Sequence, residues 1–149
     1  QDKKLDFKTI NSLLNNVSND DFNLLRDVAF KGDKTNTNKL LADTVFEAEK
    51  YIYYLNSINQ RIDVLKEIEN QKKNNLNVEL IISKMRPPIF WKDKPTVIEQ
   101  SNKWNINKIN QALKKSYNIE IELKSNNSIR KDLLIKNLIV DLCSAANAS

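Results

Sequence analysis

Gly32 is the only glycine among the 149 residues of this chain, which has just three prolines besides. Sandwiches and barrels of β-strands need turn residues every ten residues or so, and glycine and proline are the residues that most often supply them. A chain this poor in both is therefore expected to fold as helices. We predict an all-α protein, a helical bundle of about five to seven helices.

The same composition excludes several kinds of active site. The chain has no histidine, so these residues contain neither a Ser-His-Asp or Cys-His catalytic centre nor an imidazole metal site. One glycine cannot build the glycine-rich loops that bind dinucleotides or nucleoside triphosphates. The single cysteine, Cys143, allows neither an internal disulfide nor a Cys-x-x-Cys site. We expect no catalytic residue, no metal site and no bound cofactor.

The cysteine count and the hydropathy of the chain indicate in which cellular compartment the protein is expected. A lone cysteine fits a reducing environment, and no apolar run is long enough to span a bilayer. We therefore expect a cytoplasmic protein with no membrane segment. The chain starts at Gln1 rather than at a methionine, which indicates a piece of a longer protein.

Apolar residues recur at intervals of three and four along most of the chain, as they do on the buried face of a helix. The longest such segment runs from about 48 to 73. A polar stretch at 33–38 is predicted to connect two helices, the second of which carries Leu40 and Val45. The last helix is apolar over a wide arc that includes Cys143, so we expect it to be buried on more than one side.

Capping residues mark several helix ends. Asn77 and Asn105 stand where two helices are predicted to begin, and an asparagine side chain there accepts a hydrogen bond from the first turn. Pro87 and Pro88 stop the short helix that Asn77 begins. Gly32 stands where a helix end needs a left-handed residue, so backbone geometry explains the lone glycine.

The charge balance allows two interpretations. There are 24 lysines and arginines against 19 acidic residues, a net charge of +5. Most of the basic residues are lysine, and lysine, asparagine and isoleucine all have codons made of A and T alone. An AT-rich genome would produce this composition without any selection for a basic surface. The alternative is a basic face that binds nucleic acid.

The stretch 103–136 is the best candidate for such a face, because basic residues outnumber acidic ones there. Lys108 and Lys115 are seven residues apart and so lie on one side of a helix, with Lys114 beside them. An ordinary solvated helix surface is the alternative. The candidate DNA-facing residues are Lys103, Lys108, Lys114, Lys115 and Lys124.

Three runs of sequence resemble the C-terminal part of the delta subunit of bacterial DNA polymerase III. They are Met85–Lys92 (MRPPIFWK), Trp104–Leu113 (WNINKINQAL) and Glu120–Lys124 (EIELK) before a leucine-rich last helix. The resemblance extends from about Leu5 to Cys143 and is strongest over 85–124. The chain departs from the family pattern in having Asn105 where serine is common, and lysine at many arginine positions.

The resemblance implies a role in DNA replication. The delta subunit opens the sliding clamp as one member of a pentameric clamp loader, within a DNA polymerase holoenzyme that is a nucleotidyltransferase. Its C-terminal helical domain joins the gamma/tau and delta-prime subunits in a collar, whereas an upstream AAA+ domain contacts the clamp. The resemblance implies that residues 1–18 are the end of the lid domain or a linker and that residues 19–149 are the collar (oligomerisation) domain. The collar domain would catalyse no reaction itself and would contact DNA in the assembled complex.

A collar domain needs outward-facing apolar and aromatic residues to meet its neighbours, and aromatic residues near a helix break often anchor interfaces. The candidate subunit-interface residues are Tyr53, Tyr54, Ile89, Phe90 and Trp91. For each of these five residues, packing in the protein's own core is the alternative.

Two functions of other classes remain open. One is a stand-alone basic helical domain that binds nucleic acid or acts as an adaptor. The other is an enzyme that uses carboxylates alone, although neighbouring acidic residues on one helix point away from one another. Acidic pairs occur at three places: Asp20 and Asp21, Glu67 and Glu69, and Glu120 and Glu122.

Overall fold

Seven α-helices and two 3₁₀ turns make up the regular structure of the computed structural model, which describes residues 20–125 and 130–148. No strand occurs in those two ranges, so the prediction of an all-α fold with about five to seven helices is confirmed. The 3₁₀ turns are Ala48–Lys50 and Trp91–Asp93. The α-helices are α1 (20–31), α2 (Lys34–Asp43), α3 (Tyr51–Lys72), α4 (Val78–Lys84), α5 (Lys94–Ser101), α6 (Ile106–Lys124) and α7 (Lys131–Asn147).

Gly32 ends α1 in the predicted way. Its φ is +77°, in the left-handed region that side chains disfavour. The Gly32 N–H donates to the carbonyl oxygen of Ala29 at 2.9 Å, and the Asp33 N–H donates to that of Val28 at 3.3 Å. This is the Schellman arrangement, which pairs the carbonyls that a helix end leaves open.

The polar stretch that follows is a helix, and the prediction of a connection at 33–38 is wrong. Asp33 caps α2 by accepting a hydrogen bond from the Asn36 N–H at 3.1 Å. The helix therefore begins at Lys34 and ends at Asp43. Val45, expected on its apolar side, lies beyond its end and is 80% exposed.

The other predicted caps are confirmed. The Asn77 side chain accepts from the Leu80 N–H at 2.8 Å, and that of Asn105 accepts from the Lys108 N–H at 2.9 Å. The chain leaves α4 at Lys84, shortly before the two prolines, and the Arg86–Pro87 peptide bond is cis.

Helix α3 is the centre of the bundle and packs against α4, α5, α6 and α7. The main core lies between α3, α6, α7 and the first helix, and its largest buried side chain is Trp104. A second, smaller core joins the far end of α3 to α4 and α5 through Ile68, Ile81, Ile82 and Val97. Cys143 is buried in the main core, as predicted.

The predicted lid end or linker at 1–18 lies outside the described residues. Across the described ranges, none of the helices combines the length and the apolar character that crossing a membrane requires.

Candidate protein-interaction surface

Tyr54 does not belong to any surface, which corrects the prediction that it meets a neighbouring subunit. Its side chain is only 1% exposed and stacks on Phe22 with ring centroids 4.5 Å apart. Its hydroxyl accepts a hydrogen bond from the Glu47 N–H at 3.0 Å. The sequence contains a signal for this burial. Tyr54 is four residues before the apolar Ile58 on α3, and residues four apart lie on the same face of a helix. Its neighbour Tyr53 is 40% exposed.

The segment between α4 and α5 carries the other three candidates. Ile89 is half-buried and packs against the smaller core, which holds the segment to the bundle. Phe90 and Trp91 follow it and are 56% and 67% exposed. Their ring centroids are 5.9 Å apart, and the Lys92 Nζ lies 5.4 Å from the centroid of the Trp91 ring. We call these two residues the Phe90–Trp91 pair.

Local sequence explains why this pair is exposed. The prolines at 87 and 88 prevent α4 from continuing, because proline has no backbone N–H and restricts the residue before it. The chain then makes the 3₁₀ turn Trp91–Asp93, and Pro95 lies in the first turn of α5. Proline suits that position, since the N–H groups there have no partner within the helix. Two large rings are thus fixed on the outside of a short turn.

Beside the pair, a groove runs between α3 and the segment 76–89. Its cavity volume is about 750 Å³, and the apolar part of its lining includes Val64, Ile81 and Met85. A second cavity of about 290 Å³ shares Gln60, Val64, Pro88 and Ile89 with the first, so the two are adjacent. We call the two together the α3–α4 groove.

Two arginines line the smaller cavity, and neither was among the site residues predicted from the sequence. Arg26 and Arg61 are both more than nine-tenths buried. Asp27 lies between them, with its Oδ1 2.9 Å from Arg26 Nε and 3.2 Å from Arg61 Nη1. Further hydrogen bonds join Arg61 Nη1 to Gln100 Oε1 at 2.7 Å and Arg26 Nη1 to Ser57 Oγ at 2.9 Å. This buried network joins α1, α3 and α5.

Burial has an electrostatic effect on Arg61. Loss of solvent lowers the pKa of its guanidinium below the usual range, and the charge of Arg26 lowers it further. Asp27 acts in the opposite direction and favours the charged form. The guanidinium stays charged at neutral pH because arginine starts from so high a pKa. Asp93 acts in the same direction as Asp27 but less strongly. Asp27 is the carboxylate that lies within 3.2 Å of both buried guanidinium groups.

The five candidate DNA-facing lysines do not share one surface. Lys108 Nζ donates to the carbonyl oxygen of Ala148, just after α7, at 2.6 Å. Lys115 lies 3.8 Å from the carboxylate of Asp141 on α7, so both lysines face the C-terminal half of that helix. Lys124 is nine residues after Lys115, which at 100° per residue places it on the opposite side of α6. Lys124 forms an ion pair with Glu120 at 3.3 Å. Lys103 and Lys114 are exposed.

The part of the chain that the structure describes contains no cluster of metal-ligand residues. No group of three histidine, cysteine, aspartate or glutamate residues there could hold a metal ion. Two of the acidic residues that the sequence offered as pairs are bound to lysines instead. Glu69 lies 2.8 Å from Lys72, and Glu120 pairs with Lys124.

Comparison with known proteins finds no match: no family model, no curated protein and no solved structure is significantly similar to this chain.

Proposed function

We propose that this chain is the collar domain of a delta-type clamp-loader subunit, which assembles with the gamma/tau and delta-prime subunits during DNA replication. The Phe90–Trp91 pair carries the proposal. It lies in the run Met85–Lys92, within the range 85–124 over which the resemblance to the delta family is strongest, and it presents two adjacent rings to solvent. Large exposed aromatic residues are enriched where proteins bind one another.

The rigid mounting of the pair supports an interface role. Ile89 fixes one side of the turn to the smaller core, and Val97, fully buried, fixes the helix that follows. Side chains that are already held in place lose little conformational entropy on binding. More of the free energy gained from their apolar contacts therefore contributes to affinity. Tyr53 lies near the start of α3 and is the third exposed candidate. We propose these three residues as contacts with neighbouring subunits.

A collar role requires no chemistry from the chain itself. The sequence has no histidine and a single glycine, so ATP binding and clamp opening would belong to other domains and subunits. Contact with the sliding clamp would likewise come from an upstream domain. Contact with DNA would arise in the assembled complex.

Co-purification tests the proposal. We expect tagged chain to retain gamma/tau or delta-prime collar domains on a column and not to retain the sliding clamp. Capture of the clamp without any loader subunit would contradict the proposal. Tight binding to DNA with no loader subunit retained would favour the stand-alone nucleic-acid-binding domain instead.

A further inference from the structure

The α3–α4 groove combines three chemically different linings. We propose that it is a docking site for a short extended segment of a partner protein, one that carries an acidic residue, apolar residues and a basic residue. The acidic side chain binds at Arg61 and Arg26, the apolar residues fill the middle, and the basic side chain faces Asp63 and Glu67. This proposal does not depend on the clamp-loader assignment.

The arginine end of the groove offers unpaired donors. Arg61 uses only Nη1 for its bonds to Gln100 and Asp27, and Arg26 uses Nε and Nη1. The remaining guanidinium N–H groups have no partner among residues 20–125 and 130–148, and both arginines line the smaller cavity. Asp93 lines that cavity too; in those ranges it is too distant for an ion pair with either arginine, although its charge favours the charged form of Arg61. A carboxylate is the group that best accepts such N–H groups.

The charges of the two long walls are opposite. Asp63 and Glu67 lie on α3, whereas Lys84 and Arg86 lie at the end of α4 and just after it. Within the described part of the chain, none of these four forms an ion pair. Glu67 accepts a hydrogen bond only from Gln71, at 2.9 Å. A ligand with charges of both signs can therefore pair with the groove without displacing an existing ion pair.

The length of the groove sets the size of the ligand. Its α3 lining extends from Gln60 to Gln71, which is about 16 Å along a helix. An extended chain covers that distance with about five residues. The apolar lining beside Asp63 and Glu67 consists of side chains such as Val64, Ile81 and Met85, which suit one or two aliphatic residues.

Peptide selection tests the docking site directly and needs no identified partner. The probe is a random library of peptides of about eight residues, enough to span the groove with flanks, selected against the immobilised protein. We expect enriched peptides to share an acidic residue, one or two aliphatic residues and a basic residue. A synthetic copy of the strongest binder is then measured by fluorescence anisotropy.

Two variants at exposed positions change the groove. Gln60→Glu places a carboxylate beside the arginine end, and the double variant Asp63→Lys, Glu67→Lys reverses the acidic wall. Each should weaken binding of the peptide about tenfold or more. The control is Asp43→Lys with Glu49→Lys, which makes the same charge change at exposed residues outside the groove and should leave binding unaltered.

Three results would overturn the proposal. They are no enrichment above a bare surface, enriched peptides that lack an acidic residue, and a peptide that binds the groove variants as well as it binds the original chain. Because none of these variants alters the Phe90–Trp91 pair, loss of peptide binding with retained loader subunits would separate this site from the proposed collar contacts.

Discussion

Trp104 Nε1 donates a hydrogen bond to the carbonyl oxygen of Phe30 at 2.8 Å, and their rings lie 5.3 Å apart. The bond ties the last turn of α1 to the segment between α5 and α6. Both side chains are almost completely buried, so no water can replace the bond if it is lost.

Trp104→Phe should therefore lower the free energy of unfolding by about 1–3 kcal/mol, the cost of a buried carbonyl without its partner. Urea denaturation followed by circular dichroism measures the change. Trp91→Phe is the matched control, because Trp91 is 67% exposed and surface replacements stay within about 0.5 kcal/mol. Equal effects of the two substitutions would contradict the assigned core.

Gly32 is the second position at which the structure predicts how substitutions change the stability of the fold. Its φ is +77°, and a Cβ built on it would lie 2.7 Å from Oδ1 of Asn147, whose Nδ2 donates to the Gly32 carbonyl oxygen. Gly32→Ala should destabilise the fold by about 1–2 kcal/mol from the left-handed backbone alone. Gly32→Asn should cost less in backbone energy, because asparagine tolerates that conformation better. Thermal unfolding of both variants checks the order, and a more stable alanine variant would refute it.

Local signals in the sequence were enough to predict much of this fold. Asn77, Asn105 and Gly32 mark helix ends because capping depends on residues within one turn. The start of α2 was missed because its first turns, Lys-Thr-Asn-Thr-Asn, are polar and lack the apolar period that indicates a helix. The Asp33 cap and the packing of α2 against α7 stabilise that start.

The candidate site was harder to predict, because its parts are distant in sequence. Asp27, Arg61 and Gln100 are brought together only by the packing of three helices. Charged residues and glutamine are usually exposed, so nothing local marks these three as parts of a buried network. The Phe90–Trp91 pair was identified because two prolines and two aromatic rings form one short run.

Asp132 gives a prediction about pH. Hydrogen bonds from Arg130 lower the pKa of its carboxyl below the usual value. A group with a lowered folded-state pKa stabilises the fold above its unfolded pKa, near 3.8, and loses that contribution as the pH falls through the folded value. The stability difference between the original chain and Asp132→Asn should therefore shrink on acidification below about pH 4. Urea midpoints across the acid range measure it, and a constant difference would contradict the assigned ion pair.

The lysine positions predict weak DNA binding by this chain. Since the five candidates do not share a face, Lys114→Glu with Lys115→Glu should reduce affinity for duplex DNA only about as much as Lys34→Glu with Lys39→Glu on α2. Both pairs remove the same charge, and all four lysines are exposed. Fluorescence anisotropy at several salt concentrations compares them. A much larger loss for the α6 pair would indicate a true DNA-binding face.

The most direct test of the collar proposal is the association constant with gamma/tau and delta-prime collar domains, measured by sedimentation for the original chain and for Phe90→Ala with Trp91→Ala. Truncation of an interface anchor costs about 2 kcal/mol or more, so we expect association to weaken at least about thirtyfold. Tyr117→Ala, an aromatic residue 63% exposed on α6, is the control that should associate normally. Unchanged association of the double variant, or no association of the original chain, would contradict the account.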